Sequence, residues 1–237
     1  MILKTEIMRP AVAMLELIFA IVIMGIILMS APMLISTASK SGYVAIQQEG
    51  INEAASQVNM IMGYQWDEND VDERYIDPIL RASSGDTDLD EEGNTSRRLG
   101  TPEESYRSFV RSDGVDDLAA STSLGTDGTE TEEDDIDDFS GITNLTEIQL
   151  SDVNYIETTT IDITTSIAYN TDSLVSGGYN QSTIEFTPFN TNVNPTNIKE
   201  ITATLTSSGP EELDKKIILR AFSCNIGAYK LEEKDVN

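Results

Sequence analysis

Apolar side chains gather first in one uninterrupted block, then in spaced stripes, and finally in alternation. From Leu17 to Ile35, 19 residues pass without a charge. At about 1.5 Å per residue, a helix of that length spans roughly the hydrocarbon core of a bilayer. The block is too long for the apolar region of an ordinary cleaved secretory signal. Pro32 permits a kink near its end, after which Val44, Ile51, Ala55, Val58 and Met62 recur at helical spacing. The second stretch is therefore predicted as a helix with one core-facing stripe. Towards the C-terminus the period changes to two. In "VNYIETTTIDITTSIAY", Ile161, Ile163, Ile167 and Tyr169 share a face, with threonines between them. "STIEFTPF" continues the pattern through Ile184 and Phe186. Ile201, Ala203 and Leu205 alternate in one further strand, and Ile217, Leu219 and Ala221 in another, about a turn centred on Ser208-Gly209-Pro210. These patterns predict an α+β protein, in which a long N-terminal helix packs on an antiparallel sheet of about four strands.

Between helix and sheet the chain is polar and irregular. "DENDVDE" at Asp67–Glu73 holds five acids in seven residues, and seven of the nine residues from Glu130 to Asp138 are acidic. Gly, Ser, Thr and Asp dominate the rest, a composition that reads as solvated, mobile loops. The expected organisation is thus residues 12–36 as the membrane half of the helix and 37–66 as its second half. An acidic loop-rich region follows at 67–149, and a C-terminal sheet region at 150–237.

Charge narrows the partners. The chain has 15 Lys and Arg against 41 Asp and Glu, a formal charge of −26. Nucleic acid is excluded as a leading partner, because phosphate binding needs clustered basic residues. Histidine is absent, which removes Ser-His-Asp and Cys-His nucleophile systems and His-ligated zinc. The expected protein is not an enzyme. The single cysteine, Cys224, cannot close an intrachain bridge, and it lies in a strand-like run where a buried thiol is expected.

One residue contradicts the apolar block. Glu16 stands at its front edge, and no Lys or Arg follows before Lys40. An ionised carboxylate at that depth costs several kcal/mol unless it is paired. The plain reading leaves Glu16 wet at the headgroups. The sharper one requires a cation, and a free α-amino group created by cutting the chain just upstream would supply it. Lys4 and Arg9 precede the block, so the positive-inside rule leaves the N-terminus in the cytoplasm.

The run "RPAVAMLELIFAIVIMGIIL" resembles the processing and assembly signal of type IV prepilins and type II secretion pseudopilins. The resemblance covers about 30 of 237 residues and is specific in order and spacing. It implies a leader at residues 1–11, cut between Ala11 and Val12 by a prepilin peptidase, with methylation at Val12. Glu16 is then the fifth residue of the mature chain, as in the family. Gly25 matches the mid-helix glycine, and Pro32 lies one residue from the usual proline. Ala11 replaces the commoner Gly and Val12 the commoner Phe, departures that imply slower processing. Loss of Lys4, Glu6 and Arg9 leaves 13 basic and 40 acidic side chains, a charge of −27.

The resemblance implies a pilin-like fold and a structural subunit of a type IV pilus or type II secretion filament. Its place would be the bacterial inner membrane, single-pass, with the C-terminal domain outside the cytoplasm. The implied partners are other pilin or pseudopilin subunits, the prepilin peptidase, the inner-membrane assembly platform and membrane lipid. Major pilin, minor pilin and pseudopilin stay open, though long acidic loops would crowd a filament and favour a minor subunit. The alternative is a membrane-tethered binding or adhesin domain that uses the helix only as an anchor. No cofactor is required by either.

Calcium is the rival reading of the acidic loops. An EF-hand register starting at Asp88 places Asp90, Glu92 and Gly93 correctly but puts Leu99 where a bidentate Glu is needed, so it fails. A looser set, Asp134, Asp135, Asp137 and Asp138, remains a candidate calcium site. The piece "DDIDDFSG" also resembles an acidic motif of minor pilins of the mannose-sensitive haemagglutinin type.

Overall fold

In the computed structural model, residues 9–72, 74–102, 105–116, 118–126, 133–141, 143–149, 158–208, 214–228 and 230–231 are described. Most of the leader, the acidic stretch 127–132 and the turn beyond Ser208 lie outside them.

Helix α1 spans Arg9–Ile61, 53 residues without a break at Pro32. At 1.5 Å per residue it is about 80 Å long. Proline removes one backbone donor, and the helix carries the loss. Its two halves have different surroundings. The large apolar side chains from Val12 to Ile35 are 51–83% exposed. This part of the helix is long and apolar enough to cross a membrane. The second half enters the core through Ile46, Ala54, Val58 and Ile61.

That buried stripe differs from the expected one. Val58 belongs to both, but Val44 and Met62 are exposed, while Ile46, Gly50, Ala54 and Ile61 face the sheet. Small residues decide the rotation. A Cβ added at Gly50 would lie 2.9 Å from Leu205 Cδ1 and 3.1 Å from Ile161 Cδ1. Gly50 and Ala54 let the helix axis approach the sheet, and close packing along that line outweighs turning the bulkier Val44 and Met62 inward.

The sheet contains β2 (Thr143–Gln149), β3 (Thr158–Asn170), β5 (Ile198–Ser208) and β6 (Ile217–Cys224), hydrogen-bonded in the order β2-β3-β5-β6 and antiparallel throughout. A short β4 (Thr191–Asn192) pairs with the end of β3, and β1 (Ser105–Tyr106) pairs with β7 (Lys230–Leu231). The register sets Ile163 opposite Leu205, Ile167 opposite Ile201 and Ile201 opposite Ala221. Ile161, Ile163, Ile167, Tyr169, Ile201, Ala203 and Leu205 are all buried on the helix-facing side, as their alternation predicts. Ile217, Leu219 and Ala221 pack against the same core.

The expected strand at "STIEFTPF" does not form. Only an isolated bridge, Ser176 to Glu185, occurs there, and Ile184 is half exposed. Pro188 has no N–H to give a ladder, and Phe189 adopts φ +58°, which ends extended backbone. The fourth long strand is β2, which lies wholly inside the stretch read as loops. That stretch is also far from floating: Ile79, Leu80, Phe109, Ala120, Ile136 and Phe139 are buried, and several join the main core.

Candidate functional site

Two regions carry the candidate chemistry. The first is the front of α1. Val12 and Glu16 are exposed there, and Glu16 is the sole charged residue between Val12 and Ser39. Ala11 lies one residue upstream in the same helix. Val12 and Glu16 therefore share an uncovered apolar rod, distant in sequence from the sheet that the second half of the helix packs against.

The second region is a buried ionic centre where α1 ends. Lys199 lies on β5 in phase with Ile201, Ala203 and Leu205, so its side chain points into the core and is fully buried. Its ammonium donates to the Trp66 carbonyl at 2.6 Å and to Asp67 Oδ2 at 3.1 Å, and it pairs with Asp137. Three donors thus meet three acceptors. The ammonium also stands 4.5 Å from the Trp66 ring centroid and 5.5 Å from that of Tyr169.

Asp67 is the hub on the other side. Its carboxylate accepts from the Ser121 backbone N–H at 3.0 Å and the Ser121 hydroxyl at 2.9 Å. The Tyr169 hydroxyl donates to the Ser121 carbonyl at 2.6 Å. Asp67 also caps the short 3-10 turn Glu68–Asp70, taking the Asn69 N–H. Asp67, six residues beyond the end of helix α1, thereby fixes a distant loop at Ser121.

Of the four proposed calcium ligands, Asp135, Asp137 and Asp138 are buried beside this centre with their carboxylates hydrogen-bonded, and Asp134 is half-buried next to them. Asp137 Oδ2 accepts from the Gly125 N–H at 3.4 Å, while its other oxygen meets Lys199. Asp135 Oδ1 accepts from the N–H groups of Asp137 and Asp138 at 2.7 and 3.2 Å. Asp138 Oδ2 accepts from the N–H groups of Asp134 and Asp135 at 3.0 and 3.3 Å. Among the described residues no group of three or more His, Cys, Asp or Glu is arranged to hold a metal ion. The carboxylates of Asp135, Asp137 and Asp138 bind backbone N–H groups and the Lys199 ammonium. Burial pushes the Asp135 carboxyl up, and nearby Asp137 adds to the effect while Lys199 opposes it.

A second polar knot ties the 78–100 loop to the same end of β5. The buried guanidinium of Arg98 donates to the Asn225 carbonyl at 2.6 Å, to Asn197 Oδ1 at 2.8 Å and to the Leu89 carbonyl at 2.9 Å. Asn197 Nδ2 donates to Asp172 at 2.6 Å, and Asn225 exchanges bonds with the Leu80 backbone at 3.0 and 2.7 Å. Burial pulls the Arg98 guanidinium down to about 10. Cys224, expected to be buried, is a free, half-buried thiol pushed up by its surroundings.

Sequence reading did not single out Lys199, and it took Asp67 only as one acid of a loop run. The available signal was phase: a lysine on the apolar face of a strand needs an internal partner. In comparisons with known proteins, no family model, no curated protein and no solved structure matches this chain.

Proposed function

We propose that this chain is a structural subunit of a type IV pilus or type II secretion filament, processed by a prepilin peptidase and assembled through α1. The observation that carries the reading is the division of α1. Its first half is apolar and uncovered, interrupted only by Glu16, and its second half is built into the globular core. A helix that served only as an anchor gains nothing from a carboxylate in its apolar part. In a filament, Glu16 of one subunit would meet the Val12 ammonium of its neighbour, and in a medium of low effective dielectric their attraction is strong. Either charge alone is costly there, so the pair favours correct register over raw stability. The acidic loop layer argues for a minor subunit, carried by the bacterial inner membrane with its sheet domain outside the cytoplasm. Other subunits, the assembly platform and lipid are its partners.

The test has two arms. Mass spectrometry of the mature protein should find an N-terminus at Val12, methylated or free. Glu16→Ala should insert into the membrane normally, since it removes a charge from an apolar helix, but should lose incorporation into filaments. An intact Met1, or a Glu16→Ala protein that incorporates at the wild-type level, would return the helix to the role of a simple anchor for a tethered binding domain.

A further inference from the structure

Beside the Lys199 centre, a cleft of about 390 Å³ opens between the segment after α1 and the end of β6. Tyr64, Trp66, Phe222 and Ile226 form apolar walls, and Asp70 and Asp77 supply the charge. Among the described residues no Lys or Arg lines it. Tyr64, Phe222 and Ile226 are 37%, 56% and 47% exposed, so the mouth presents apolar surface to solvent. At its inner end Asp70 is only 5% exposed, and its Oδ1 has no hydrogen-bond partner.

A buried carboxylate oxygen without a donor is costly, and most buried polar atoms avoid that state. Lys199 does not relieve it, because its three donors are committed to Trp66, Asp67 and Asp137. We infer that this cleft binds an organic cation, an alkylammonium group on an apolar stem, with Asp70 and Asp77 taking the charge and the apolar walls taking the stem.

The chemistry separates this ligand from a metal ion. Calcium seeks six to eight oxygens and magnesium a near-ideal octahedron, whereas the two carboxylates here, with Gln65 and Ser223 as the other polar side chains, share the lining with aromatic and aliphatic walls. An ammonium needs only a few acceptors, and its methylene stem gains from the walls. The protonation state of Asp70 fits the same picture. Burial first, then Asp67, Asp77 and Asp135, push its carboxyl up to about 8 against the opposing pull of Lys199. Burial likewise raises Asp77. A cation in the cleft would favour the ionised forms, so its affinity should rise between pH 6 and pH 9. The inference does not depend on filament assembly.

Trp66 is the sole tryptophan of the chain and lines the cleft, so its fluorescence reports occupancy. The full-length protein in uncharged detergent micelles would be titrated with n-butylammonium, with 1-butanol as the neutral analogue and with sodium and calcium chloride at matched ionic strength. A saturable change with n-butylammonium alone is expected, tightening from pH 6 to 9. Asp70→Asn, which keeps the shape and removes the charge, should weaken it at least about tenfold. Asp77→Asn, at a more exposed position, should weaken it less. An equal response to butanol or to either salt, or an unchanged affinity in both variants, would overturn the proposal. Nα-acetyl-lysine amide distinguishes the source of the cation. Binding as tight as that of n-butylammonium assigns the cleft to a lysine side chain of a polypeptide, and exclusion of the blocked residue assigns it to a free amine.

Discussion

Removal of the Lys199 ammonium tests the most consequential contact in the globular part. Lys199→Met keeps the length and most of the apolar volume of the stem, so little cavity term enters. What remains is electrostatic. Asp67 and Asp137, each within direct reach of the ammonium, would be left facing each other in a site where Lys199 and Asp67 are 0% exposed and Asp137 is 3% exposed. The Trp66 carbonyl would lose its donor as well. Breaking a buried pair by deleting one partner typically costs about 3–5 kcal/mol, a large fraction of the roughly 5–15 kcal/mol that holds a domain folded.

With a urea slope near 2 kcal/mol per M, the unfolding midpoint should fall by roughly 2 M. Trp66 fluorescence is the natural signal, because the ammonium sits 4.5 Å from its ring. The pH dependence carries the sign of the effect. With Lys199 gone, burial holds the Asp137 proton to higher pH in the folded than in the unfolded protein. The penalty is therefore absent at low pH and grows as pH rises above the ordinary carboxyl range. The triple variant Lys199→Met, Asp67→Asn, Asp137→Asn removes the charges together and should recover most of the loss, since a buried charge cluster replaced by neutral groups is often close to neutral in stability. A loss below about 1 kcal/mol in Lys199→Met, or a triple variant no more stable than the single one, would refute the reasoning.

Three further perturbations address other parts of the fold. Gly50→Val places branched atoms where even a Cβ lies 2.9 Å from Leu205, and overpacking of this kind should lower stability by about 1–3 kcal/mol in urea unfolding. Asn225→Ala strands the buried Leu80 N–H and C=O and should cost roughly 2–4 kcal/mol, with hydrogen exchange rising first at Leu80. For Asp70, whose carboxyl moves from 3.8 to about 8 on folding, the unfolded chain releases its proton first. Its contribution to stability therefore declines as pH rises between those values, and a pH series of melts should show a flatter decline for Asp70→Asn than for the wild type.

The legible parts of the fold were those where one face is uniformly apolar. Ile161, Ile163 and Ile167 on β3 and Ile201, Ala203 and Leu205 on β5 declare their faces by alternation alone, and the register pairs them as expected. The stripe on α1 was harder to read because hydrophobicity undervalues Gly50 and Ala54, whose contribution is the close approach they permit. "STIEFTPF" alternates as well as β3 does, yet both sides of β3 are already paired, to β2 and β5 along most of its length and to β4 at its end. Alternation states which residues share a face but not whether a hydrogen-bonding edge is available. The acidic loops misled for a different reason. Composition counts carboxylates without saying where their oxygens go, and here Asp67, Asp135, Asp137 and Asp138 turn inward to backbone N–H groups and one lysine.

The inward turn of those acids explains how a chain of charge −26 holds a dense loop layer against its sheet. Self-repulsion among carboxylates favours expansion, so attraction has to be concentrated where it is strongest, away from water. The start of β5 and the two residues before it provide that concentration. Thr196, Asn197, Lys199 and Glu200 are all buried, and between them they bond to Asn170, Asp172, Arg98, Trp66, Asp67 and Asp137. Lys199 thereby draws in the segments at 66–67 and 137, Asp67 draws in Ser121, and Asn197 with Asn225 draws in Arg98 and Leu80. Four loops far apart in sequence converge on one strand end by way of two buried cations. Outside these two knots Asp72, Glu91 and Asp113 pair with arginines at the surface, whereas Asp70 and Asp77 line an open cleft. A fold that neutralises its interior acids with so few buried cations leaves its residual demand for positive charge at that cleft, where a ligand rather than the chain can meet it.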